Sequence, residues 1–159
     1  MKLTIVLVAL LAPISLSFSA VKQNFSGKWV LDKERSFGIP AGLEQTLTIR
    51  QTGDQIKMVA RSKTDKEGEQ VVAELYLING QEMEFTPQSP PNAQGKRKTS
   101  LLPNGLGIQI EDQIIADGKT VNRISRRWSL SLDGKTLTID YFIDDQKTSH
   151  ESRRVSIKK

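Results

Sequence analysis

Asn24-Phe25-Ser26-Gly27-Lys28-Trp29 decides how the rest of this chain is read. Successive side chains on a strand point to opposite faces, so Phe25, Gly27, Trp29 and Leu31 share one side and Ser26, Lys28 and Asp32 the other. The same alternation recurs downstream, punctuated by Thr52-Gly53-Asp54, Asn79-Gly80, Asp117-Gly118 and Asp133-Gly134. Asn-Gly and Asp-Gly supply the positive φ angles that tight hairpins need. The pattern predicts strands over 25–32, 44–51, 55–63, 69–78, 82–87, 96–102, 107–116, 120–132, 136–143 and 148–157. Neighbours joined by tight turns pair antiparallel, and a long serial meander either closes or exposes edges that invite aggregation. The expected fold is all-β: an antiparallel up-and-down meander closed into a barrel of about 8–10 strands.

Upstream, residues 1–20 have the layout of an export signal. Lys2 supplies the charge, Leu3 to Leu11 the apolar stretch and Ser17-Phe18-Ser19-Ala20 the small-residue exit. The stretch is too short for a membrane span and the chain has no Cys for a lipid anchor. The expected mature protein is one barrel domain over 21–159, a monomer in the periplasm or the medium. With 37% apolar residues it can build a core without disulfides. Loss of Lys2 leaves 22 basic and 18 acidic residues, a net charge of +4. Lys96-Arg97-Lys98, Arg126-Arg127, Arg153-Arg154 and Lys158-Lys159 are short and dispersed, and only 6% of the chain is aromatic. That composition fits solvated strand faces and excludes a dense stacking surface for nucleic acid.

Alternation assigns the interior. Leu47 and Ile49, then Ile56, Met58 and Ala60, point inward, followed by Val71, Ala73, Leu75 and Leu77. Met83 and Phe85, Ile108 and Ile110, then Ile124, Trp128, Leu130 and Leu132 continue the rows. Leu137, Ile139, Tyr141 and Ile143 precede Val155 and Ile157 on the last strand. Two connections are longer: 33–43, and the proline-rich 87–95, which cannot be a central strand. Either is placed to cover a barrel mouth or to cross its closed end.

The Phe25-Ser26-Gly27-Lys28-Trp29 opening and the meander over nearly the whole mature chain resemble the lipocalin-like, or calycin, barrels, bacterial exported domains among them. The resemblance implies that Trp29 plugs one end of the barrel and that an arginine from a late strand packs across its ring. Phase with Val155 and Ile157 gives that role to Arg153. A count near ten resembles the fatty-acid-binding relatives, though 33–43 is too short for their helical lid. The resemblance also implies an apolar interior able to hold a small ligand, with no cofactor.

Two inward polar positions bear on such a ligand. Arg126 is in phase with Ile124 and Trp128, and Glu151 with Arg153. An ionised group inside a barrel is costly unless paired. Arg126 therefore either anchors the anionic head of an amphiphile whose tail lies along Met58, Leu75, Phe85, Ile110 and Tyr141, or pairs with Glu151, or turns outward at a bulge. His150, the only histidine, reads as a surface residue. No nucleophile elbow, zinc helix, phosphate loop or calcium loop is present, so no catalytic residue and no metal ligand is assigned. Two functions remain: a carrier of an apolar or amphipathic molecule of lipid type, and a filled barrel that works through its outer loops.

Overall fold

The computed structural model describes residues 23–145 and 147–159. The expected export signal lies outside the described residues. Ten antiparallel strands form one sheet: β1 (Gly27–Phe37), β2 (Glu44–Thr52), β3 (Gln55–Lys63), β4 (Gln70–Leu77), β5 (Glu82–Phe85), β6 (Gln94–Leu101), β7 (Ile108–Ala116), β8 (Lys119–Leu130), β9 (Thr136–Asp144) and β10 (Ser149–Lys158). The order across the sheet is β4-β3-β2-β1-β10-β9-β8-β7-β6-β5. Pairing of β1 with β10 wraps the meander, and the two edge strands, β4 and β5, leave a seam that contacts from β6 to Ile78 and β4 bridge. The all-β, nearly closed barrel expected from the sequence is the fold observed. No helix occurs among the described residues.

One end is sealed by packing. Phe25, Trp29, Leu47, Ile49, Ile56, Ile108, Trp128, Leu137 and Ile139 are buried in a single cluster. The N-terminal segment folds across this end, where the Trp29 indole N–H donates to the Phe25 carbonyl at 3.0 Å. Trp128 packs edge-on against Phe25 and Tyr76, with ring centroids 5.8 and 5.1 Å away. The cation over Trp29 is Lys158, its ammonium 5.2 Å from the ring centroid. Gly27 makes that approach possible, since a Cβ there would stand 2.6 Å from Lys158 Cε.

Arg153 does not take that place, and the phase read for the last strand is corrected. Ser156 stands opposite the fully buried Leu137 and Arg154 opposite the buried Ile139, so Ser152, Arg154 and Ser156 face inward. Arg153 lies outside, its side chain 46% exposed, paired with Asp140 at 2.6 Å. Glu151 is likewise exposed on the outer face, so the Arg126–Glu151 pair does not form. Alternation misled because apolar Val155 is outside yet buried, beside a bulge that shifts register between Asp32 and Phe37. In that bulge the Ser36 hydroxyl accepts the Val155 N–H and donates to the Asp32 carbonyl. β1 thereby continues to Phe37 instead of ending at Asp32.

The phase of β4 is also reversed. Tyr76 stands opposite Ile56, and Glu74 opposite Met58, so the even positions face inward with them. Val71, Ala73, Leu75 and Leu77 lie outside, in line with exposed Lys57 and Arg61. Both faces of this strand are largely apolar, so its pattern alone did not define the inner one. Leu132, expected inside, is fully exposed in the turn after β8.

Candidate functional site

A buried charge network crosses the barrel between the sealed end and the open one. Arg97 on β6 donates through Nε and Nη2 to both carboxylate oxygens of Asp112 on β7, each at 2.7 Å. Its Nη2 also reaches Glu74 Oε1 at 2.7 Å and its Nη1 the Leu75 carbonyl at 3.2 Å, both on the far side of the seam. Arg126 on β8 donates to both Glu74 oxygens at 3.2 Å, to the Tyr76 hydroxyl at 3.1 Å, and to Asp112. Two guanidiniums thus face two carboxylates, and the network is neutral as a unit. Gly95 belongs to the same construction. A Cβ there would fall 2.5 Å from the Phe85 ring, which in its absence lies across β6 with the Arg97 guanidinium 4.4 Å above it.

The protonation states follow from the partners. Burial opposes ionisation of Glu74, but the Arg126 and Arg97 guanidiniums outweigh it and hold the carboxyl below its ordinary value. Burial pushes the Tyr76 phenol well up, so it stays neutral and donates to Glu74 at 2.7 Å. Burial disfavours the charge on Arg126 too, yet the Glu74 and Asp112 carboxylates beside it raise it above its ordinary value.

Arg154 is a third inward guanidinium with a different environment. Its Nη1 donates to Gln45 Oε1 at 3.3 Å, and its plane lies 4.7 Å from the Tyr141 centroid. Its Nε is buried and finds no partner among the described residues. No described carboxylate stands within ion-pair distance of it. Among the described inward-facing residues that line the cavity, three cations therefore stand against two anions, and the excess charge belongs to Arg154. Arg126 and Asn122 each add one buried polar atom without a protein partner, Nε and Oδ1.

These groups line a cavity of about 810 Å³ that fills the open half of the barrel. Arg97, Asp112, Arg126 and Arg154 form its polar floor and flank. Met83, Phe85, Ile114, Ile124 and Ile143 supply apolar wall, and Thr86–Ser89, in the proline-rich connection, stands at its side. Ser152, also in the lining, leaves room that a larger side chain on β10 would occupy.

The residues expected around a ligand divide between the two halves. Phe85, Arg126 and Tyr141 line the cavity. Trp29, Met58, Ile110 and Trp128 are buried in the core that seals the other end. Leu75 projects to the outer face and borders the cavity only at the seam, and Arg153 is outside it altogether. His150 is exposed and stands opposite Ile143, near the rim. Arg97, Asp112, Glu74 and Arg154 were not singled out as site residues. The one usable signal was Asp112, an acid in the apolar row of Ile108, Ile110 and Ile114. No cluster of three or more acidic or histidine side chains that could hold a metal ion lies among the described residues.

No family model matches the chain, and no curated protein does. Among solved structures, the chain is similar to zebrafish ileal bile acid-binding protein complexed with cholic acid. The two are 17% identical, with a TM-score of 0.54, and the match covers 89% of this chain and 100% of that one. It is also similar to a secretory abundant heat soluble protein from Ramazzottius varieornatus. Here identity is 13% and the TM-score 0.53, with 84% of this chain and 94% of that one covered. At these identities the likenesses show the fold alone: a ten-stranded antiparallel meander wrapped into a nearly closed, lipocalin-like β-barrel.

Proposed function

We propose that this protein is an exported, monomeric, non-enzymatic carrier that holds an amphipathic molecule with an anionic head in the open half of its barrel. The observation that carries the reading is Arg154, a cavity-lining guanidinium with no carboxylate partner and a buried, unbonded Nε. A carboxylate or similar anion beside it would balance the interior charge and accept the free donors of Arg154 and Arg126. Hydrogen bonds to charged groups contribute about 1.5–3 kcal/mol. The chain of the ligand would lie against Phe85, Ile114, Ile124 and Ile143, and would gain about 25 cal/mol for each Å² of apolar surface removed from water. The fold similarity to a protein crystallised with cholic acid supports the same reading, as does the export layout of residues 1–20.

Arg126 alone is the weaker anchor, because Glu74 and Asp112 already neutralise it. The assignment is tested by calorimetric titration with dodecanoate and with dodecanol. The native protein should prefer the carboxylate by about tenfold or more, the equivalent of about 1.4 kcal/mol, and Arg154→Gln should lose that preference while still binding the alcohol. Equal preference in the two proteins would remove Arg154 from the site. Absence of binding to either ligand would overturn the carrier reading.

A further inference from the structure

The 810 Å³ cavity is bordered by both faces of one strand. Glu74 reaches it from the inner face of β4, while Val71, Ala73 and Leu75, on the outer face of the same strand, border it too. Consecutive residues 71–75 border it along the free edge of this strand, so the cavity is open at that edge. The opening lies at the seam, where β4 and β5 share no backbone pairing among the described residues.

The seam opens by degrees. Near the sealed end it is joined through the main chain: Ile78 bridges Thr99, and the Gly80 N–H donates to the Thr99 carbonyl at 2.9 Å. One step up, the side chain of Arg97 spans it, reaching the Leu75 carbonyl and Glu74. Above Leu75, no hydrogen bond joins β4 to β5 or to the Thr86–Ser89 segment among the described residues. There Val71, 52% exposed, and Ala73 form an apolar strip facing Thr86, Pro87 and Gln88 across the opening. Apolar side chains on the solvent face of an edge strand are a liability that such strands ordinarily avoid with charge.

We propose that the bound amphiphile is longer than the barrel interior, and that its chain leaves sideways between β4 and β5 to lie against Val71, Ala73 and Leu75. The inference rests on the carrier reading and adds the ligand class: a long-chain anionic lipid. Its occupant follows from continuity, since the outer strip belongs to the same cavity as Arg154. Arg97 forms the sill of the opening and fixes the depth at which the chain turns outward. Full burial of a methylene strengthens binding up to about fourfold, so the outer strip should be read in the dependence of affinity on chain length.

The test compares octanoate with palmitate on the native protein and on Ala73→Asp, which puts a charge in the strip on an exposed edge and leaves the interior intact. Octanoate affinity should stay within about twofold, and palmitate affinity should fall about tenfold, the equivalent of just under two fully buried methylenes. The converse variant, Ala73→Leu, should tighten palmitate and leave octanoate unchanged. It keeps the question answerable if the aspartate variant does not fold. Palmitate affinity unmoved by both substitutions would overturn the lateral exit, while octanoate binding that depends on Arg154 would leave the carrier reading standing. A native protein that binds neither acid would overturn both.

Discussion

The sealed and open halves of this barrel belong to one continuous sheet and solve opposite problems. At the sealed end, Trp29, Trp128, Phe25 and Ile108 exclude water, the Trp29 indole N–H donates to the buried Phe25 carbonyl, and the Lys158 ammonium stands over the Trp29 ring. At the open end the strands turn serines, arginines and acids inward, and their charges are satisfied by one another except at Arg154. The first half stabilises by apolar burial, which is non-directional and adds up with area. The second contributes specificity, because each buried charge is tolerable only with its partner in place. Between them the Arg97–Asp112–Arg126–Glu74 network marks where a core stops and a site begins.

The comparison is broken most severely at the sealed end. Trp128→Ala should cost about 3–5 kcal/mol by removing a large, fully buried ring, measured by denaturant unfolding. In the network, Asp112→Leu alone should cost about 3 kcal/mol or more, because it leaves two buried guanidiniums facing one carboxylate. Arg97→Met with Asp112→Leu retains the neutral Arg126–Glu74 pair, and should lie within about 1 kcal/mol of the native protein. If the double variant is as unstable as the single one, the network is not the coupled unit described.

Acid separates the halves next. Glu74 is held below its ordinary value of 4.5, so its ion contributes stability that is complete at neutral pH. That contribution is lost as pH falls through 4.5 toward the folded-state value. Glu74→Gln should therefore flatten the decline of the unfolding temperature on the acid side, while a change confined to the sealed end should leave the slope as it is. The smallest effect belongs to the outer face. Arg153→Ala removes an exposed ion pair and should cost about 0.5 kcal/mol or less, with ligand binding unchanged.

The same contrast explains how far the sequence could be read. Where the interior is apolar, alternation is a burial signal, and β2, β3 and β9 were legible from Leu47, Ile49, Ile56, Met58, Leu137 and Ile139. The Gly27-x-Trp29 opening pointed to the sealed end through its resemblance to lipocalin-like barrels. Where the interior is polar, the signal inverts. Ser152, Arg154 and Ser156 face inward while apolar Val155 and Ile157 face outward, and Glu74 faces inward between apolar Ala73 and Leu75. Arg97 was hidden in Lys96-Arg97-Lys98, three cations of which only the middle one is buried. Its burial depends on Asp112, 15 residues away, and on Glu74, 23 residues away. No local pattern encodes such partners, because strand register brings them together.

The central claim, that the open half holds an anionic amphiphile, is tested most directly on protein purified after export, extracted with organic solvent and analysed by mass spectrometry. The account predicts an anionic long-chain lipid in amounts near one per chain, reduced in Arg154→Gln prepared in the same way. A clean extract, from a protein that also fails to take up a fluorescent fatty acid, would contradict it.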